Sequence, residues 1–303
     1  HPTITYRYIK AATPLAAREW WTPGDGRALP AEALYANDAG ALGMLNTEGT
    51  LDTRGHPFFA PLGSNGRGCV TCHQPADAMS LSVETVRERW EATGGRDPLF
   101  AAVDGRNCPH LPAGDPAAHS LLLGRGLIRV ALPWPPRDET GQPLPVEFAL
   151  EVVRDPTGCN LHPVHGLESA NPRVSVYRRP RVVANTKYLT HSNFGVGPFI
   201  AKSGLPAVRD PETGKPTSMN MMADARAPTL KIQAQDAARG HLELAAGLSA
   251  PDLDRILAFE RQIFVAQAQS GAAGDLAEPG GPPGFGTRNL VAAPAGVLGN
   301  NTS

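Results

Sequence analysis

Two cysteines and a histidine form a compact group in the stretch GRGCVTCHQPADAMS, residues 66–80, as Cys69-x-x-Cys72-His73. The chain has four cysteines in 303 residues, and the other two stand alone in distant segments. A Cys-x-x-Cys pair is typical of three kinds of site: a redox dithiol, half of a zinc site, or the covalent anchor of a haem. The residues around the pair discriminate among them.

The surroundings favour the haem anchor. A thioredoxin-like dithiol needs a βαβ setting, whereas a glycine-rich loop that starts at about Gly55 leads into this pair. A structural zinc site needs four ligands, and the remaining cysteines are unpaired in the sequence. In haem attachment the two thiols add to the porphyrin vinyl groups, and the next residue, His73, supplies the proximal iron ligand. We therefore predict one haem c, attached covalently through Cys69 and Cys72.

The haem prediction sets an expected compartment. Covalent attachment to such a motif takes place outside the cytoplasm, so we expect a periplasmic or otherwise exported protein. In that space Cys108 and Cys159 have two interpretations, a disulfide that closes the segment between them or two buried free thiols. The first residue is His1, so the chain has been processed or is a fragment, and a removed secretory signal is one explanation.

Composition excludes several classes of partner. Charged residues make up 19% of the chain and the formal net charge is −1, which gives no electrostatic argument for nucleic acid or an anionic membrane surface. The longest apolar runs are far shorter than the roughly 18–20 residues that cross a bilayer, so we expect no membrane span. The chain contains 32 glycines and 30 prolines, which predicts many loops and few long helices.

The expected fold class is mainly α, a cytochrome c-like haem domain with a small β-rich insertion and long Gly/Pro loops. Residues 1–54 are predicted as an N-terminal extension with short helical stretches, such as PAEALYANDAGALGMLN. Residues 55–270 are predicted as the haem domain, with the β-rich insertion at 95–180. Residues 271–303 are predicted as a Gly/Pro-rich linker or tail without a core of its own.

Local signals predict individual elements. The run SLSVETVRERWEAT is predicted as a helix that Ser82 caps and Gly94 ends. The run SAPDLDRILAFERQIFVAQAQ, residues 249–269, is predicted as a second helix, with Ser249 before Pro251 at its start. Three β-branched stretches, GLIRVALPW, VEFALEVVRD and RVSVYRR, are predicted as the strands of the antiparallel insertion.

Two downstream segments carry a resemblance to a known family. RRPRVVANTKYL (178–189) and MADARAPTLKIQAQDAARGHLE (222–243) resemble the diheme cytochrome c peroxidase family, in which R-N-x-P-T-x-x-N precedes F-W-D-G-R and L-x-x-Q-A. The resemblance covers roughly residues 55–265 and corresponds to the N-terminal, peroxidatic-haem half of a divergent member. Asp224 and Arg226 match the acidic and basic positions of W-D-G-R.

The resemblance implies two catalytic residues. Gln233 matches the glutamine of L-x-x-Q-A, and Glu243 falls where the family keeps its acid–base glutamate. Glu243 would then move a proton between the oxygens of bound peroxide, and Gln233 would orient the substrate. The alternative is that both are solvated polar positions on a helix. Met222 and Ala223 stand where the family has an aromatic pair.

The chain contains a single Cys-x-x-Cys-His motif, whereas the family's second haem feeds electrons to the first. The chain is therefore expected either to be part of a longer diheme protein or to receive electrons from a redox protein partner. The sixth iron ligand decides between functions, because a strong ligand makes an electron carrier and an open position makes a catalyst.

The predicted function is one-electron redox chemistry by an exported, peroxidase-like c-type haem oxidoreductase acting on peroxide or dioxygen. The alternative is a pure electron-transfer subunit with six-coordinate haem in a multi-haem assembly. Met222 and His191 are the main candidates for the sixth ligand. His162 and His165 have a separate interpretation as a shared surface or metal site. The other candidate ligands are Met219, Met221, His110, His119 and His241.

Overall fold

The computed structural model describes most of the chain. Helices account for 29% of it and strands for 19%, in three sheets, so the predicted mainly α, cytochrome c-like fold is wrong. No helix in the described part is long and apolar enough to cross a membrane. The described residues are 14–137, 141–190, 221–223, 227, 229–278 and 285–293.

The helices and strands are short and are interspersed along the chain. The strands are β1 (Ala28–Leu29), β2 (Glu32–Asn37), β3 (Gly40–Asn46), β4 (Leu51–Asp52), β5 (Ile128–Pro133), β6 (Arg173–Arg178), β7 (Ile263–Ser270) and β8 (Gly274–Asp275). The helices are α1 (Val83–Thr93), α2 (Ala102–Gly105), α3 (Ser120–Arg125), α4 (Thr186–Leu189), α5 (Leu230–His241), α6 (Ala250–Gln262) and α7 (Thr287–Ala292).

The largest sheet joins both ends of the described chain. Its antiparallel strands lie in the order β2-β3-β7-β8, so residues 32–46 pair with residues 263–275. Residues 14–54 are therefore not a separate extension, because one of their strands, β3, is an inner strand of this sheet. β1 and β4 form a second small sheet beside it.

The first correction concerns residues 30–46, which were predicted to be helical and instead form the β2–β3 hairpin. Their alanine and leucine content favours a helix, but Ala33 and Tyr35 alternate with more exposed positions and are buried on one face. Gly40 follows the two-residue turn with φ of +135°. A Cβ there would lie 2.3 Å from the Gln269 carbonyl oxygen, so the close approach of β7 requires glycine.

The second correction concerns the C-terminal part of 249–269. Helix α6 begins as predicted, with the Ser249 side chain accepting a hydrogen bond from the Asp252 amide, but it ends at Gln262. The chain continues as β7, where Ile263 pairs with Asn46 of β3. Pairing with β7 satisfies the backbone groups along the inner edge of β3, which a longer helix would have left without partners.

The third correction concerns the predicted linker after residue 270. Thr287 and Leu290 of α7 are buried against the main sheet. The Tyr188 hydroxyl donates to the carbonyl oxygens of Leu290 and, at 2.9 Å, of Ala293. This part of the segment thus contributes to the packed core.

The predicted insertion is confirmed in two of its three strands. GLIRVALPW and RVSVYRR supply β5 and β6, which pair antiparallel from Ile128 with Arg178 onward. VEFALEVVRD forms no strand, and its Phe148 and Val153 are 63% and 91% exposed. A Cys108–Cys159 disulfide joins two loops of this region, and both cysteines are fully buried.

The segment that carries the Cys-x-x-Cys-His motif rests on an aromatic cluster. Phe58 and Phe259 have ring centroids 4.6 Å apart, and Phe58 lies 6.4 Å from the His73 ring. Helix α1 follows, capped at Ser82 and ended by Gly94 in the left-handed conformation, as predicted. The motif is thereby fixed between packed rings on one side and a well-capped helix on the other.

Candidate functional site

A cleft opens above the Cys-x-x-Cys-His motif. It is bounded by described residues, and the space between them and the solvent at its open mouth together amount to about 1290 Å³. One wall is the motif loop with Cys69, Cys72 and His73. Residues of α5, α6 and β5 form the other walls. The lining is mostly apolar carbon, so the cleft suits a largely apolar ligand.

The motif loop lies very close to neighbouring backbone. Cys69 begins a single 3₁₀ turn, Cys69–Thr71, and the Cys72 amide donates to the Cys69 carbonyl oxygen at 3.2 Å. A Cβ on the preceding Gly68 would lie 2.3 Å from the Ala60 carbonyl oxygen. Glycine at this position therefore lets the loop deliver both thiols to the cleft.

We expect Gly68→Ala to lower the free energy of unfolding by about 1–3 kcal/mol, because the added methyl must push the backbone apart. Urea unfolding followed by circular dichroism measures the change. Gly114→Ala is the matched control, since a Cβ there has no atom within 4 Å. Equal stability of the two variants would show that the loop has room to move.

The motif cysteines are free thiols, whereas the other two are paired with each other. Desolvation raises the pKa of both: that of Cys69 far above its usual range, and that of Cys72 to about 11. Both groups are therefore protonated at neutral pH. A redox dithiol needs a thiolate of lowered pKa, so this environment disfavours that interpretation of the pair.

His73 is held by a strained turn. Its Nδ1 lies 3.0 Å from the Met79 carbonyl oxygen, and Ala78 and Met79 both have left-handed φ, of 59° and 57°. Such residues cost of order 1 kcal/mol each and occur where the surroundings impose them. In the tautomer in which Nδ1 donates to this carbonyl, Nε2 is the nitrogen without the proton. Burial lowers the pKa of His73 to about 4, so the ring is neutral.

One face of α5 forms the wall opposite the motif. Leu230, Gln233, Ala234, Ala237, Ala238 and His241 line the cleft at helical spacing. Three of these six are alanines, whose short side chains leave space in front of the helix. The face is therefore shaped to lie along a flat ligand, with one amide and one imidazole available to it.

His241 is part of a buried charged network. Its Nδ1 lies 2.7 Å from Asp104 Oδ2, which orients the ring and leaves Nε2 as the available nitrogen. Asp104 has a left-handed φ of 60°, a strained conformation that directs its carboxylate to His241 and Arg67. A carboxylate that orients an imidazole is common behind metal-binding and proton-transferring histidines.

Arg67 connects the motif loop to this network and is 1% exposed. Its guanidinium donates to Asp104 Oδ2 and to four carbonyl oxygens, including that of His241 at 3.1 Å. The other three carbonyls belong to Pro98, Leu99 and Val103, at 2.7, 2.8 and 3.0 Å. All five N–H groups are thus directed at protein acceptors, so Arg67 is a structural residue.

The predicted site residues have separate positions. Gln233 and Met222 line the cleft with the motif. Glu243 is exposed with φ of 55° and is not among the lining residues, so we do not retain it as the acid–base group. His191 lies outside the described residues. Asp224, Arg226 and Met219 also lie outside them.

Glu260, on α6, is a buried carboxyl that the sequence analysis did not single out. It lines the cleft and is 4% exposed. Within the described part of the chain, its Oε2 has no hydrogen-bond partner. Desolvation raises its pKa to about 8, so the group is mostly protonated at neutral pH. The sequence did carry a signal for Glu260, because it is a charged residue at a position of α6 where the helical spacing predicts an apolar one.

The raised pKa of Glu260 predicts a pH dependence. The folded state binds this proton more tightly than the unfolded chain, so the stabilisation is complete below pH 4.5 and is lost as pH rises through about 8. Between these values the free energy of unfolding should fall by up to about 1.4 kcal/mol per pH unit. Urea unfolding across this range should show a flatter profile for Glu260→Gln and an unchanged slope for the exposed Glu243→Gln. Parallel profiles for wild type and Glu260→Gln would contradict the assignment.

The mouth of the cleft is basic. Arg178, Arg179 and Arg181 all line it, at the end of β6 and just after. Arg179 Nη2 donates to the Arg125 carbonyl oxygen at 2.6 Å, and Arg181 Nη1 to that of Met222 at 2.8 Å. Positive charge at the opening of an apolar cleft suits a ligand with an apolar body and acidic groups at one edge.

Comparisons with known proteins leave the resemblance described above as a hypothesis. A scan against protein-family models, a search of curated proteins and a search of solved structures found no match to this chain.

Proposed function

We propose that the chain is an exported c-type haem protein that carries out one-electron redox chemistry. The observation that carries the proposal is the convergence of two protonated, unpaired thiols and a neutral, oriented imidazole on one large apolar cleft. When bound, haem would supply iron that cycles between two oxidation states.

The donor set fits a covalently attached haem. Each protonated thiol of Cys69 and Cys72 can add across one vinyl group, the sulfur bonding to carbon and the proton ending on the neighbouring carbon. His73 Nε2 carries the free lone pair, because Nδ1 donates to the Met79 carbonyl. A four-ligand zinc site is disfavoured, since in the described chain the motif residues do not form a cluster of metal-ligating atoms.

The cleft walls fit the shape and charge of the same group. The alanine face of α5 lies along the cleft and leaves room for a flat ring, and the arginines at the mouth suit two carboxylate-bearing propionates. Glu260, protonated and buried, adds no negative charge to the interior at neutral pH. An apolar environment would also raise the reduction potential of a haem by disfavouring the more highly charged oxidised form.

Two functions are open to such a protein, and the residues that face the iron from the side of the cleft away from His73 decide between them. Met222 or His241 as sixth ligand would make the protein an electron carrier, and both line the cleft. If neither binds iron, Gln233 would orient a peroxide or dioxygen substrate. His241, held by Asp104, would then accept and return its proton. We favour the electron carrier, because Met221 and Met222 both line the cleft and methionine serves as an iron ligand in electron-carrying c-type cytochromes.

The Cys108–Cys159 disulfide supports the exported location, because disulfides persist in oxidising compartments. Electrons would come from a redox protein partner or from a second haem domain.

Absorption spectra of the purified protein, before and after adding peroxide, test the proposal. A low-spin spectrum that peroxide leaves unchanged supports the carrier, and a peroxide-dependent change supports the peroxidatic alternative. Met222→Leu or His241→Gln should convert a low-spin spectrum to high-spin if that residue is the ligand. Met44→Leu, at a buried position outside the cleft lining, is the control. Absence of any haem band would contradict the whole proposal.

A further inference from the structure

A cluster of three histidines lies outside the cleft. His110, His162 and His165 each place a ring nitrogen within 4.8 Å of the other two. The His110 and His162 rings stack with centroids 4.0 Å apart, and those of His162 and His165 are 4.9 Å apart. His110 is exposed and the other two are half-exposed, so an ion in solution can reach the cluster.

The fold brings these residues together from two loops. His110 follows Cys108 by two residues, and His162 follows Cys159 by three, so the disulfide joins the loops just before both histidines. The second loop is also pinned by Asp155, whose Oδ2 accepts from the Asn160 amide at 2.7 Å. The imidazoles therefore project from a backbone that is fixed before any ligand binds, which lowers the entropic cost of binding.

We propose that His110, His162 and His165 form a surface site for a divalent first-row transition metal ion, Cu²⁺ or Zn²⁺, with at least one coordination position open to water. Three imidazoles with a solvent-accessible fourth position are a donor set that suits both ions. The cluster contains no carboxylate, so the site does not suit Ca²⁺ or Mg²⁺, which take oxygen ligands.

Arg129 lies near His165, and its positive charge opposes a cation. Binding must therefore come from coordination bonds to the imidazole nitrogens.

Binding requires small rearrangements that the structure permits. Ligands of one ion lie closer together than 4.8 Å, so the exposed rings must turn towards a common point. His162 Nδ1 accepts a hydrogen bond from the Val164 amide at 3.2 Å. If Nδ1 binds the ion, its lone pair is no longer available to the amide. If Nε2 binds the ion, Nδ1 carries the proton and cannot accept. The hydrogen bond is lost in either case.

Calorimetric titration of the purified, disulfide-intact protein with Zn²⁺ and, separately, Cu²⁺ tests the proposal. We expect one equivalent of each ion to bind, with nitrogen hyperfine structure in the Cu²⁺ paramagnetic resonance spectrum. Loss of a residue that only supports a metal ligand weakens metal binding roughly 10–100-fold. His162→Gln removes a ligand itself, so it should weaken binding by at least this factor. His165→Gln should have a similar effect. Val164→Ala, 67% exposed in the same loop, should bind as wild type does.

Iron content, measured by elemental analysis, should be the same in all of these proteins, which separates this site from the cleft. The proposal is overturned if wild type binds neither ion. It is equally overturned if the triple variant, with glutamine at all three histidine positions, binds Zn²⁺ and Cu²⁺ as tightly as wild type does. Mass analysis must show the Cys108–Cys159 bond intact in both proteins for this comparison.

Discussion

Replacing Cys69 and Cys72 together by alanine should leave a chain with no covalently bound haem, the largest effect that we expect of any substitution. In the proposed attachment the two thiols supply both bonds to the porphyrin, so His73 alone would hold it by a single exchangeable ligand. The measurement is the haem absorption of protein exported by a host with haem-attachment machinery, after extraction with acidified organic solvent that removes non-covalent haem.

The matched control is Cys108→Ala with Cys159→Ala, which also removes two cysteines but leaves the cleft intact. We expect this control to retain one haem per chain while losing stability, since removing a native disulfide costs about 2–5 kcal/mol. Single substitutions at Cys69 or Cys72 should retain a haem through one bond at reduced yield. Full haem content in the Cys69/Cys72 double variant after extraction would contradict the assignment of the motif.

The second large effect concerns stability. We expect Arg67→Met to lower the free energy of unfolding by about 3–5 kcal/mol, because it leaves the buried Asp104 carboxylate without its arginine partner. The same change removes one donor from each of four carbonyl oxygens, including that of His241 at the end of α5. Urea unfolding followed by circular dichroism gives the magnitude.

Arg54→Met is the control for removal of a paired arginine. Arg54 binds Asp52 at 2.6 Å, but both side chains are well exposed, so the unfolding midpoint should hardly change. The double variant Arg67→Met with Asp104→Asn separates the causes, since it removes the unpaired charge and should recover part of the loss. Stability of Arg67→Met equal to that of wild type would show that the network is not structural.

Local signals predicted those elements whose ends are set by neighbouring residues. The Ser82 and Gly94 caps of α1 are such features, because a side-chain oxygen or a left-handed glycine satisfies backbone groups within four residues. The β5–β6 pair was likewise visible from β-branched residues. The interpretation of the haem motif is local in the same sense, because it depends on the five adjacent residues from Cys69 to His73.

Elements that depend on distant pairing were not predictable in this way. Residues 30–46 and 263–269 were predicted to be helical because alanine, leucine and glutamine are good helix formers. They become strands because β3 and β7, more than 200 residues apart, satisfy each other's backbone and cover the core. Strand preference depends on such context more than helix preference does.

The site shows the same division. Cys69, Cys72 and His73 stand together in the sequence, whereas the His241–Asp104 pair joins residues 137 positions apart. His241 was one of several candidate histidines, and the α5 face that places it in the cleft emerged from the fold. Glu260 could have been identified from sequence, as an acidic residue on an apolar stripe, but its exclusion from solvent could not.

The central claim is tested most directly by the intact mass of the exported protein under denaturing conditions, with fragmentation across residues 66–80. We expect the mass of the polypeptide plus one haem, less two hydrogens for the Cys108–Cys159 bond, with the added mass confined to the fragment containing Cys69 and Cys72. A mass equal to that of the bare polypeptide, or one showing a Cys69–Cys72 disulfide in place of haem, would contradict the account.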